Sequence, residues 1–160
     1  MVEQENLFLM VAEAANHYCH LIEQTEHFDI AVWIENLRQI LLKLESILAL
    51  CDWDNTRSRF AYPSISDLDG RFELYLRLKS YLEGRDEFWS EEDLAANDDF
   101  MSGSLSENLT DIYCELKRGL AFCAAGLEGE QLARQVWFDG YHFYWHRQLS
   151  EALSHLKDRG

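Results

Sequence analysis

Ser104-Leu105-Ser106-Glu107-Asn108-Leu109-Thr110-Asp111-Ile112-Tyr113-Cys114-Glu115-Leu116-Lys117-Arg118-Gly119-Leu120 is the stretch that decides the fold class. Leu105, Leu109, Ile112, Leu116, Leu120 and then Cys123 recur at spacings of three and four, so they line one side of a helix of about 3.6 residues per turn. Ser104 and Glu107 form the capping-box pattern, in which each side chain bonds the other residue's free backbone N–H. A tight turn, Gly126-Leu127-Glu128-Gly129, leads into a second long amphipathic segment ending near Leu156. The two segments read as an antiparallel helical hairpin.

The same periodicity recurs upstream. Leu7, Val11, Ala14, Tyr18, Leu21 and Ile22 mark a first helix from about Glu3 to Glu26, with Glu13, Asn16, His20 and Glu23 facing out. The short joint His27-Phe28-Asp29, with Asp29 as N-cap, introduces a second helix that runs to about Cys51. Its stripe includes Ile30, Trp33, Ile34, Leu37, Leu41 and Leu44, and Val32, Leu42 and Leu50 add apolar residues outside it. A helix this apolar is expected at the centre of the bundle. Asp52 to Ser66 holds the only proline, Pro63, and reads as a connection lying over the bundle end through Trp53, Phe60 and Tyr62.

A third helix is predicted from about Ser66 to Leu82, with Phe72, Tyr75, Leu76 and Leu82 toward the core and Gly84 as its left-handed cap. Arg85 to Gly103 is acidic and irregular, and Phe88, Trp89 and Phe100 place it against the bundle. Strand-like alternation is missing. The expected fold is all-α: one domain, residues 1–160, forming a five-helix antiparallel bundle with an irregular acidic connection between helices three and four.

Composition bounds the function. A chain of 160 residues buries roughly 70% of the surface its unfolded form exposes, so no disulfide or metal is needed to hold its core. With 48% hydrophobic and 13% aromatic residues it is a globular chain and not a disordered one. Against 14 basic side chains stand 29 acidic ones, and the resulting −15 repels phosphate backbones and anionic lipid. Nucleic acid and membrane are therefore not expected partners. Cys19, Cys51, Cys114 and Cys123 form no C-x-x-C pair, which argues against zinc ribbon and thioredoxin chemistry. The acidic start Met1-Val2-Glu3-Gln4-Glu5 and the lack of an apolar run of about 18 residues lead to a cytoplasmic expectation.

The helix order, the Phe88-Trp89 pair, the run Leu109 to Leu120 and the aromatic last helix ending Glu151-Ala152-Leu153 together resemble an uncharacterised bacterial family of small helical proteins, a domain of unknown function. The resemblance covers most of the chain. It implies an all-helical cytoplasmic domain with no assigned activity, substrate or cofactor. It also implies His-Trp-Gly-x-His late in the last helix of relatives, where this chain reads Tyr144-Trp145-His146-Arg147-Gln148, so both histidine positions are replaced.

One constellation has metal-ligand chemistry. Asp111 with Glu115, and His142 with His146, are each spaced i, i+4 and so share a helical face. In the antiparallel hairpin the two pairs fall at matching heights, and carboxylate with imidazole is a donor set for zinc or iron. The competing reading is a polar seam in which the acids meet imidazoles, Lys117, Arg118 or Arg147. His17, His20 and His27 with Glu13 and Glu23 read as a solvated face. Asp67-Leu68-Asp69-Gly70 fails as a calcium loop because Ile65 and Leu76 would occupy ligand positions. No nucleophile elbow or phosphate-binding loop occurs.

Aromatic residues are in excess on the last helix: Trp137, Phe138, Tyr141, Phe143, Tyr144 and Trp145 are more than one stripe holds. Trp137, Tyr141, Tyr144 and Trp145, with Phe88 and Trp89, are the candidate partner-binding residues, since Trp and Tyr dominate interface hot spots. The expected function is a non-catalytic, cofactor-free acidic bundle that binds a protein, a second copy of itself included. The alternative is a metal or enzymatic site at Asp111, Glu115, His142 and His146.

Overall fold

Asp29 opens the second helix as its sequence position predicts: its backbone is extended, and its carboxylate accepts the Ala31 N–H at 3.1 Å. In the computed structural model, which describes residues 4–51, 68–83 and 104–157, the elements are α1 (Gln4–Glu23), a 3-10 turn (Thr25–His27), α2 (Ile30–Leu48), α3 (Leu68–Glu83), α4 (Ser104–Cys123), α5 (Leu127–Arg134) and α6 (His146–Lys157). Two π-helical segments, Gln135–Asp139 and Tyr141–Trp145, lie between α5 and α6. Gln135, Gly140 and His146 all keep right-handed helical dihedrals, so α5, the π segments and α6 form one continuous fifth helix. The all-α, five-helix expectation is borne out. Pro63, Gly84, Trp53, Phe60, Tyr62, Phe88, Trp89 and Phe100 lie outside the described residues, as does the Asp67 end of the failed calcium loop; the Ser104 cap lies outside the described side chains.

The end of α1 shows how the bundle is tied. The last carbonyls of a helix lack intrahelical donors and need partners from elsewhere. Here His20 O accepts Gln24 N at 3.0 Å, Leu21 O accepts the Trp33 indole N–H at 3.0 Å, and Ile22 O accepts the Arg77 guanidinium at 3.1 Å. Residues of α2 and α3 thus cap α1. Further along, the buried Tyr18 hydroxyl donates to Leu109 O at 2.7 Å and couples α1 to α4.

Two packing expectations are corrected. Among the described residues it is α4, and not α2, that occupies the centre, packing against α1, α3, α5 and α6. The surplus apolar residues point outward: Val32 and Leu42 of α2 are 51% and 41% exposed, and Leu50, just beyond its end, is 59% exposed. Apolar content measured the width of a stripe and not the number of neighbours. The buried polar residues of α4 are satisfied in two ways: Thr110 donates to Ser106 O of its own helix at 2.8 Å, and Asn108 donates to Glu151 of α6 at 3.2 Å.

The rotation of α3 also differs from prediction. Leu78 and Leu82 are buried and Leu74 and Tyr81 pack against the core, whereas Phe72 and Leu76 are 58% and 45% exposed. Arg71, Leu74, Leu78 and Leu82 follow one another at spacings of three and four, so they share a face. The ion pair of Arg71 with Asp111 holds that face on α4. Burial of the shorter leucine row with a satisfied charge outweighed burial of the aromatic row.

Candidate functional site

The seam between α4 and the fifth helix carries the residues singled out for metal chemistry. Asp111 and Glu115 are half-buried, with side chains 28% and 14% exposed, and each stands against an arginine. Asp111 pairs with Arg71 of α3, and Glu115 Oε1 lies 3.7 Å from Nη1 of Arg118 on its own helix. On the other side, His142 lies in the second π segment and His146 is the first residue of α6. Partial burial, and then the neighbouring His146 ring, hold His142 below the usual imidazole range, against the opposing pull of Asp139. His146 is exposed, its Nδ1 3.1 Å from Tyr141 O.

The structure brings each carboxylate to a guanidinium, and His142 near both His146 and Asp139. Among the described residues no group of three or more His, Cys, Asp or Glu side chains is gathered as a metal requires. Asp111 accepts a guanidinium hydrogen bond from Arg71, and Glu115 meets Arg118 as an ion pair, which is how a polar seam places its charges. Arg71 and Asp139 are the seam members that the sequence reading passed over. Asp139 is buried at 8% exposure, and its spacing of three from His142 was the signal available.

Burial sorts the aromatic candidates. Trp137, Trp145 and Tyr141, at 0%, 1% and 8% exposure, are core residues and present no surface to a partner; Tyr144 and Phe143 are exposed at 48% and 37%. Phe88 and Trp89 lie outside the described residues. The π segments explain how so many rings are buried. In an α-helix, residues four apart rotate by about 40° at each step, so Trp137, Tyr141 and Trp145 would spiral off the inward face. An i→i+5 ring takes an additional residue per turn and cancels that drift. The Gly140 N–H bonded to Gln135 O and the His146 N–H bonded to Tyr141 O close these wider rings. Trp145 Nε1 adds a bond to Val136 O at 3.2 Å. Trp137 and Phe138 in turn pack against Phe8 of α1, with ring centroids 5.4 and 6.2 Å away.

On the far side of α1, His17 and His20 are exposed, as a solvated face requires, and they also line a cleft of about 410 Å³ between α1 and α2. His27 is not in its wall; its Nε2 lies 3.6 Å from Glu26.

Residues 3–159 match the family described as Domain of unknown function (DUF5063). The chain belongs to that family. No curated protein and no solved structure matches it. The DUF5063 match spans every described helix, so the seam, the π segments and the α1–α2 cleft all fall within it. No described helix of this DUF5063 chain is long and apolar enough to cross a membrane.

A second polar junction of this DUF5063 member joins α1 to α4. The Glu23 carboxylate accepts the Tyr113 hydroxyl, and Lys117 Nζ lies 2.9 Å from it. Partial burial pushes the Glu23 carboxyl upward, but the Tyr113 and Lys117 bonds outweigh it and hold the group below the usual carboxylate range. A carboxyl whose folded pKa is depressed contributes stability that is complete above its unfolded value of about 4.3 and is lost as pH falls through the folded value. Urea titrations between about pH 6 and 3 are therefore expected to show a smaller acid-induced loss of stability in Glu23→Gln than in the native chain. Identical pH slopes would contradict the assignment. Burial raises the Cys19 thiol to about 12, which leaves it a packed, unreactive group.

Proposed function

We propose that the protein is a non-catalytic protein-binding domain whose contact surface is the outward face of α3. The observation that carries this reading is the exposure of Phe72 and Leu76, 58% and 45%, one turn apart on a helix whose opposite face packs on α4. Tyr75 extends the patch, its ring centroid 6.3 Å from that of Phe72, and Lys79 Nζ sits 5.9 Å from the Tyr75 ring. Large side chains left in water are each worth about 1.5–3 kcal/mol when a partner covers them. A pair at i, i+4 spacing is the arrangement with which a helix anchors in an apolar groove.

The test is affinity capture from the native cell, followed by calorimetry with the purified partner. Phe72→Glu combined with Leu76→Glu is expected to weaken that affinity about a hundredfold or more, the loss of two anchors. Val32→Glu, on the 51% exposed outer side of α2, is expected to leave it unchanged. Equal affinity of the double variant and the native chain would remove α3 as the contact surface. Sedimentation of the two proteins tests the second-copy version of the same reading, which requires self-association that the double variant abolishes.

A further inference from the structure

We propose that the cleft between α1 and α2 binds a small organic anion with an apolar body, of the aryl or branched alkyl carboxylate class. The cleft has a volume of about 410 Å³, within the roughly 300–1,000 Å³ of small-molecule sites. Leu21, Phe28 and Ile40 supply an apolar lining, and His17, His20, Asn36, Gln39 and Lys43 supply polar groups. Among the described residues no carboxylate lines it, although the chain as a whole carries −15. Glu35, which accepts the Gln39 amide at 2.9 Å, is already matched by Arg38 at 2.7 Å. Glu23, three residues beyond His20, is committed to Tyr113 and Lys117.

Lys43 sets the sign of the ligand. Among the described side chains every other lysine and arginine has a partner: a carboxylate, the Ile22 carbonyl for Arg77, or the Tyr75 ring for Lys79. Lys43 has none, and it stands on the wall of a cleft whose other polar groups include imidazole and carboxamide N–H donors. In a chain with about twice as many acids as bases, a cation left over on the wall of a partly apolar cleft is the complement of an anion. The ammonium and the imidazoles provide charge-assisted and neutral hydrogen bonds to its oxygens, and the Leu21, Phe28 and Ile40 lining takes its body out of water.

The experiment is a nuclear magnetic resonance titration of the full chain with benzoate, acetate, inorganic phosphate and benzylamine as probes. Benzoate is expected to move the imidazole signals of His17 and His20 and the side-chain amide of Asn36 along saturable curves. Acetate and phosphate, which lack the apolar body, are expected to bind at least about tenfold more weakly, and benzylamine not to saturate. Lys43→Met is expected to weaken benzoate about tenfold or more, while Lys43→Arg retains binding. Lys43 is exposed, so a native backbone spectrum in both variants separates lost binding from lost folding. Shifts that rise linearly with benzoate, benzylamine binding as tightly as benzoate, phosphate equal to benzoate, or an unaffected Lys43→Met would each overturn the proposal. None of these outcomes bears on the α3 surface.

Discussion

Trp33→Ala is expected to lower the unfolding free energy by about 3–5 kcal/mol, the range for removing a large buried ring. Trp33 is fully buried on α2, donates to Leu21 O of α1 at 3.0 Å, and meets the Tyr81 ring of α3 edge-on with centroids 5.2 Å apart. Three helices lose a shared contact in one substitution, and a carbonyl at the end of α1 loses its donor. Against a total of about 5–15 kcal/mol the loss is large. It corresponds to a melting point lower by roughly 6–20 °C for a chain of this length. Trp33→Phe keeps a ring in place and forfeits mainly the hydrogen bond, so its expected cost is about 1–3 kcal/mol. Urea denaturation of both variants makes the check. Equal midpoints for alanine and phenylalanine would show that the cavity contributes nothing and would sink the account.

Gly119→Ala is expected to destabilise the protein, opposite in sign to what helix propensity alone gives. In a helix interior alanine is favoured over glycine by about 1 kcal/mol. A Cβ at Gly119, however, would overlap the Trp137 indole, which is fully buried and has no solvent side into which to move. Overpacking of this kind costs about 1–3 kcal/mol and sometimes more, enough to override the propensity gain. The two residues are directly opposed across the hairpin, so their effects should not add. In the double variant Gly119→Ala with Trp137→Leu, the smaller side chain makes room, and a coupling of about 0.5–3 kcal/mol is expected in the double-mutant cycle. Thermal melts of the single and double variants decide it: a Gly119→Ala chain that melts higher than native contradicts the close approach.

Gly119 stands in the sequence within a helical stripe, and nothing near it in the chain accounts for it. Its reason sits on another helix, at Trp137, and no local window contains both. Gly126 and Gly129 were better placed for reading, because a turn was expected there. Gly126 adopts a φ of +94°, and a Cβ on Gly129 would overlap the Phe122 carbonyl. The turn needs both glycines for separate reasons. The level match of the two helices was also legible, since connecting them by a short turn forces an antiparallel register.

The candidate site was legible in part. The i, i+4 pairs Asp111 with Glu115 and His142 with His146 could be read from spacing, because helical geometry alone places such residues on one face. Which groups they meet could not be read. Asp111 pairs with Arg71, forty residues earlier in the chain, and Glu115 with Arg118. The π segments were invisible for a similar reason: a run of aromatic residues is compatible with either helix type, and the wider ring is adopted to keep Trp137, Tyr141 and Trp145 on the core.

By itself the sequence determined the helical class, the approximate limits of the five helices, the Asp29 cap and the hairpin turn, because each depends on neighbours within a few residues. Only the tertiary structure decided that α4 and not α2 lies at the centre, that Phe72 and Leu76 face outward, and that Lys43 stands partnerless on a cleft wall among the described side chains. Those outcomes depend on how helices rotate against one another. Rotation is set by the sum of burial and charge pairing over every interface at once, and no single stripe of residues carries that sum.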